Sequence, residues 1–187
     1  RPERAIVSAS RRTDIPGAYA AWLLARVQAG FAASVNPLNG RATRVSLAAR
    51  DVRAIVLWSK DFTGFHETAR RLHDLGHALV FQATVNDAPA VLEPRVPSAA
   101  AAAAALHELA AMWTPAAVTW RFDPILLVPA DPGAADDTAA AILRRFEGLL
   151  ARMEGATTRC VTSVVALYRK TARNLRRLPR PWPAAAQ

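Results

Sequence analysis

The 187-residue sequence is poor in cysteine and lysine, with one of the first and two of the second. Cys160 is the only cysteine, so no internal disulfide and no multi-cysteine zinc or iron–sulfur site can be built from this chain alone. Its position predicts a small buried hydrophobe at the start of a strand. Long hydrophobic runs are also missing. The longest, the alanine tract Ala99–Leu106 between Pro97 and His107, falls well short of the ~20 residues a membrane span needs. The opening Arg1-Pro2-Glu3-Arg4 has no signal-peptide pattern, so a cytoplasmic protein without a membrane partner is expected. Without an initiator methionine, and with Pro179-Arg180-Pro181-Trp182-Pro183 near its end, the chain reads as a piece of a longer protein.

Catalytic and metal signatures are equally sparse. His66, His73, His77 and His107 form no HxxxH, HxH or histidine/carboxylate grouping, so no metal site is expected. Ser8, Ser10 and Ser163 lack a nucleophile-elbow context and a candidate triad base, which argues against serine hydrolysis.

The net charge of +9 suggests nucleic acid until it is located. From Arg159 onward there are seven basic residues and no acidic ones; residues 1–158 carry 17 basic against 15 acidic and are nearly neutral. Within the tail, Arg169, Arg173 and Arg176 or Arg177 fall at helical spacing and make one basic face. That face suits a phosphate-rich ligand or the remainder of the protein. Nucleic acid is therefore a possible partner but not the favoured one.

What is present in quantity is alternation. Short runs rich in Val, Ile and Phe exchange with longer stretches rich in Ala and Leu, the pattern of repeated β–α units and a parallel sheet. Strands are predicted over Ala5–Ser10, Phe31–Asn36, Ala54–Ser59, Leu79–Asn86, Ala117–Asp123 and Cys160–Leu167. Helices are predicted over Gly17–Ala29, Thr63–Leu75, Pro97–Met112, Pro132–Met153 and Lys170–Leu178. Arg44–Leu47 reads as a small extra strand and Ala48–Arg53 as a short helical turn. The alanine tract is read as packing, with Pro97-Ser98 as a helix start. The expected fold is one α/β domain over residues 1–187, an open (β/α) barrel of about six mainly parallel strands, resembling a TIM barrel and truncated at its C-terminal end.

In such a fold the site lies where the carboxyl ends of the strands converge. Five of the six predicted ends are polar: Ser10-Arg11-Arg12-Thr13-Asp14, Asn36-Pro37, Trp58-Ser59-Lys60-Asp61, Gln82/Thr84/Asn86 and Arg121/Asp123. Residues two apart share a strand face, so Gln82, Thr84 and Asn86 line one side while Phe81, Ala83 and Val85 line the other. Arg121 and Asp123 project together in the same way, placed to offset each other's desolvation. The candidate catalytic residues are Asp14, Lys60 and Asp123. The candidate substrate- or cofactor-binding residues are Ser10, Arg12, Asn36, Ser59, Gln82, Thr84 and Arg121. Structural alternatives stand beside them: Asp14 as a helix cap, Arg121–Asp123 as a scaffold pair, and Gln82 and Thr84 as satisfied core polar groups. Arg11 and Arg12 cannot both face inward, and Arg12 is assigned to the site.

At these residues the sequence resembles a bacterial family designated domain of unknown function, number 1848. The matching segments are Val7 to Pro16 (VSASRRTDIP), Asn36-Pro37, Val45-Ser46-Leu47, Ile55 to Lys60 (IVLWSK), Phe81-Gln82, Leu92-Glu93-Pro94 and Trp120 to Ile125 (WRFDPI). Cys160 to Ser163 and Leu167 to Lys170 extend the likeness over essentially the whole chain. Members of that family are similar to radical S-adenosylmethionine enzymes, with a three-cysteine cluster motif near the C-terminus. The resemblance implies a full-length protein that uses S-adenosylmethionine and a [4Fe–4S] centre held by three thiolates. None of those cysteines is in this chain, and Cys160 does not match the motif. The expected partners are then a small-molecule substrate and the absent C-terminal cluster segment. This segment would supply the barrel and much of the substrate pocket, Arg12, Lys60 and Arg121 taking carboxylate or phosphate groups and Asp14 or Asp123 moving a proton. The alternatives are a cofactor-independent lyase or isomerase of a small anionic substrate, with Lys60 as base or Schiff-base amine, and a basic nucleic-acid-associated module.

Overall fold

The computed structural model describes residues 3–9, 13–36, 38–90, 92–125, 138–165, 169 and 173. In chain order these form β1 (Ala5–Ala9), α1 (Ile15–Ala18), α2 (Ala20–Gln28), β2 (Phe31–Val35), β3 (Ala42–Ser46), β4 (Val52–Ser59), α3 (His66–Asp74), β5 (Leu79–Thr84), α4 (Ala99–Met112), a 3-10 turn (Pro115–Ala117), β6 (Val118–Ile125), α5 (Thr138–Met153) and β7 (Cys160–Val164).

The main sheet has five strands in the order β1-β4-β5-β6-β7, every neighbouring pair parallel. Each of these strands is added beside the one before it. The order does not reverse at a switch point, as that of a doubly wound sheet does. The expected six-stranded open barrel is nevertheless corrected: five strands make the sheet, and no barrel closure exists among the described residues.

The strand that departs is the second. Phe31–Val35 pairs antiparallel with Ala42–Ser46 in a separate two-stranded sheet. Its turn explains why. The Asn36 N–H donates to the Arg41 carbonyl, the side chains of Asn36 and Asn39 accept from the N–H groups of Leu38 and Arg41, and Gly40 takes a positive φ of 67°. Asparagine side chains that mimic backbone turns, with a glycine for the left-handed position, specify a hairpin rather than a crossover. The small strand read near Arg44 is its return arm. The helical turn read over Ala48–Arg53 contracts to a tight turn, Asp51 N–H to the Ala48 carbonyl, before β4 begins.

Other boundaries shift by a turn or less. The helix expected over Gly17–Ala29 breaks into α1 and α2 around Tyr19. The expected start of α5 at Pro132 and the helix Lys170–Leu178 lie outside the described residues, apart from Arg173. Gly76, at φ 89°, ends α3 by closing its N–H on the His73 carbonyl, a stop that a side chain would strain.

Strand periodicity fixes the two faces of the sheet. Ile55, Leu57 and Ser59 on β4, Leu79, Phe81 and Ala83 on β5, and Trp120 and Phe122 on β6 are buried. The alternate residues Val56, Trp58, Val80, Gln82, Thr84, Arg121 and Asp123 are only partly covered. Right-handed crossovers between sequential parallel neighbours carry the helices to one face, which accounts for this asymmetry. The covered face packs Trp120 against Phe146 at 5.3 Å and Phe81 against Trp113 at 5.2 Å. Ala102, Ala103, Ala105, Leu106, Leu109 and Ala110 of α4 are all buried, so the alanine tract packs, as its small side chains predict. Among the described residues no helix is long and apolar enough to cross a membrane.

Candidate functional site

The open face carries a line of polar contacts that reaches from one edge of the sheet to the other. On β1, the Ser8 hydroxyl accepts from the Trp58 indole N–H of β4 at 3.1 Å. The Trp58 ring lies under the Arg121 guanidinium of β6, 4.8 Å from carbon to ring centroid. Arg121 is ion-paired with Asp123, two residues along the same strand, and the Ser163 hydroxyl of β7 donates to the other oxygen of Asp123. Arg121 and Asp123 side chains are 19% and 15% exposed, so this pair is largely withdrawn from water. Strand register brings Gln82 beside Trp58 and Thr84 beside Arg121. Neither Gln82 nor Thr84 makes a side-chain hydrogen bond among the described residues. Two donor–acceptor groups are thus held, unspent, at the middle of the face.

Lys60, one residue past β4, is paired with Glu93, which comes from the connection between β5 and α4. The two side chains are 29% and 22% exposed and line a cavity of about 460 Å³. Beside it Asn86 is buried, its Nδ2 without a partner.

Asp14 has two structural engagements. Its Oδ1 accepts from the Gly17 N–H at 2.9 Å, which caps α1, and its carboxylate accepts from the buried Ser59 hydroxyl at 2.7 Å. Ser59 in turn accepts from the Asp61 N–H at 2.8 Å. This arrangement ties the chain after β1 to the end of β4, and it uses the Asp14 oxygens for anchoring.

The structure therefore brings Lys60, Gln82, Thr84, Arg121 and Asp123 to one end of one sheet, with Asp14 and Ser59 as the anchor between two of its strands. Asn36 is not among them. Because β2 leaves the main sheet, Asn36 is exposed in the hairpin turn, where its side chain holds the turn together. Ser10, Arg11 and Arg12 lie outside the described residues. Four contributors were not named as site residues from the sequence. Strand parity could have marked Trp58, which shares a face with Lys60; Ser163 had no such polar neighbour on its own strand. Ser8 follows from the parity of β1. Glu93 had no local signal, because only tertiary folding brings its loop to Lys60.

Cys160 does not behave as expected. Its strand is the last of the main sheet among the described residues, and Cys160 is exposed rather than buried. The remaining cover from its surroundings, where Trp120 and Met153 line the adjoining cavity, still pushes its thiol pKa up. It stands at the amino end of β7, the opposite end of the strand from the polar rim. His77 is buried just before β5, and burial lowers its pKa. No group of three or more His, Cys, Asp or Glu side chains among the described residues could hold a metal ion. Of the basic tail, Arg169 and Arg173 are exposed; the rest lies outside the described residues.

No curated protein and no solved structure matches the chain. The profile of one family, described as Domain of unknown function (DUF1848), matches residues 6–186, from the second residue of β1 to one residue short of the end. That span includes the open face, its anchors and the cavity beside Lys60. The chain belongs to the DUF1848 family.

Proposed function

We propose that the open face of the sheet is the ligand-binding face of an enzyme, and that the chain supplies the sheet and much of the pocket of a radical S-adenosylmethionine-like iron–sulfur protein. The observation that carries the reading is the line Ser8, Trp58, Arg121, Asp123 and Ser163 across the polar face. In open α/β sheets, ligands bind beyond the carboxyl ends of the strands. A folded domain covers such a face with apolar packing unless polar groups are needed there.

The residues suit a small polar ligand with charged groups. Arg121 keeps N–H donors beyond those given to Asp123 and can take a carboxylate or phosphate. Asp123 can accept from a hydroxyl or amine, Gln82 and Thr84 can orient neutral groups, and the Trp58 ring offers a stacking surface. A [4Fe–4S] centre that binds S-adenosylmethionine takes three thiolates. This chain has one cysteine, at the wrong end of β7, so its residues do not fit the cluster. In this reading the thiolates belong to the parent protein beyond these residues. The rival in which Lys60 acts as a Schiff-base amine is weakened by Glu93, which engages the Lys60 head.

The test is the parent protein purified without oxygen. Iron and sulfide in the preparation, with visible absorbance lost on reduction, support the iron–sulfur reading. A parent that holds neither after reconstitution overturns it.

A further inference from the structure

Residues 15–50, which form α1, α2 and the β2–β3 hairpin, hold four arginines and no acidic residue. Two of the four meet at one ring. The Arg44 guanidinium carbon lies 3.8 Å from the centroid of Phe31, and that of Arg26 lies 6.0 Å from the same centroid. Local structure brings them there. Arg44 is the direct partner of Ala33, which makes it a diagonal neighbour of Phe31 on one face of the hairpin, and Arg26 stands in the last turn of α2, just before β2. Among the described residues neither arginine has a carboxylate partner. Asp51, the acid that follows the stretch, is already engaged by the Ser46 hydroxyl and by Arg50.

Two cations gathered without a counter-charge repel each other, and the ring between them offsets that only in part. An anion completes the arrangement. Stacking takes up the face of a guanidinium and leaves its in-plane N–H donors free, in the fork that suits phosphate oxygens. Trp22 stands one turn before Arg26 on the same side of α2, and it is 47% exposed. Ring and cation therefore alternate from the helix onto the hairpin, in the run Trp22, Arg26, Phe31, Arg44. A helix that lies in a membrane surface separates its apolar side from its charged side. Alternation suits instead a strand whose own chemistry alternates, phosphates with flat bases.

We infer that α2 and the β2–β3 hairpin bind single-stranded nucleic acid, Arg26 and Arg44 taking phosphates and Trp22 stacking a base. The inference uses neither the polar face of the main sheet nor the basic residues after Arg159, so it stands or falls apart from both.

The 187-residue chain is titrated into a fluorescein-labelled oligothymidylate of about 15 nucleotides, and anisotropy is read over a range of salt concentrations. Saturable binding that weakens as salt rises is the expected result. The double variant Arg26→Gln/Arg44→Gln should lower the slope of log K against log salt by about 1.4, because each phosphate contact on a single strand contributes about 0.7. Trp22→Ala should weaken binding about fivefold or more and leave the slope unchanged, the loss of one stacked base, and Trp22→Phe should recover most of it. The arginine variant tests the phosphate contacts even if Trp22→Ala does not fold. Polyglutamate and vesicles containing phosphatidylserine serve as the other anions, and Arg169→Gln/Arg173→Gln as the control for the exposed tail. The inference is overturned if the oligonucleotide does not bind, or if the Arg26/Arg44 variant keeps the parent slope while the tail variant loses it. It is overturned equally if polyglutamate or the vesicles bind as tightly as the oligonucleotide, which would mark the surface as one for an acidic protein or a membrane.

Discussion

Replacing Arg121 by methionine removes one charge from the centre of the open face and leaves Asp123 behind. The cost can be worked from the surroundings. Two unit charges 4 Å apart attract by about 4 kcal/mol at an effective dielectric near 20. Both side chains keep some access to water, at 19% and 15%, which lowers the net value. Asp123 also retains the Ser163 hydroxyl, so its desolvation is only partly exposed by the change. Loss of the cation over Trp58 adds about 0.5–1 kcal/mol. Arg121→Met should therefore destabilise the chain by about 2–3 kcal/mol, below the 3–5 kcal/mol seen when a fully buried pair is broken. Asp123→Asn should cost about 1–2 kcal/mol, because the guanidinium still lies over the indole. The double variant should cost about 1–2 kcal/mol less than the sum of the singles, the signature of direct coupling. Urea denaturation followed by circular dichroism, with all four proteins at one pH and salt concentration, measures the cycle. Additive costs, or singles within about 0.5 kcal/mol of the parent sequence, would show that the pair is solvated and would refute the reasoning.

Two further outcomes follow from particular groups. His77 is buried with its pKa below the ordinary 6.5, so below that pH the unfolded chain binds more protons than the folded one. Stability should be full above about pH 6.5 and fall as pH drops from there to the lowered folded value; His77→Phe should flatten that part of a pH–stability curve, and an unchanged slope would contradict the burial effect. Asp14→Asn retains the oxygen that caps α1 and should cost under about 1 kcal/mol, whereas Asp14→Ala should cost about 1–2 kcal/mol by thermal melts; equal costs would remove the capping account.

The alternation of apolar runs with Ala- and Leu-rich stretches made the parallel sheet legible, because strand and helix periods differ and the covered strand faces are nearly continuous hydrophobe. Parity along the strands also placed Gln82 with Thr84 and Arg121 with Asp123 on their shared face. The hairpin was misplaced because Phe31–Val35 has the composition of a sheet strand, and only the asparagine- and glycine-governed turn sends it elsewhere. That one turn accounts for both the missing sixth strand and the absence of Asn36 from the rim. Glu93 was invisible for another reason: its partner is 33 residues away in sequence, and nothing local distinguishes a loop glutamate that meets a lysine from one that meets water. Cys160 was misjudged because the place of β7 at the end of the strand order, among the described residues, is a property of the sheet and not of the strand.

The central claim, that the polar face is where ligand binds, is tested most directly on the Trp58 indole. The parent protein is labelled with nitrogen-15 at tryptophan, and the indole N–H resonances are followed as S-adenosylmethionine is added. The Trp58 resonance, held between Ser8 and Arg121, should shift in a saturable way, while those of Trp113 and Trp120, packed on the helix-covered side, should not. Saturable binding that moves Trp113 or Trp120 and leaves Trp58 in place would contradict the claim.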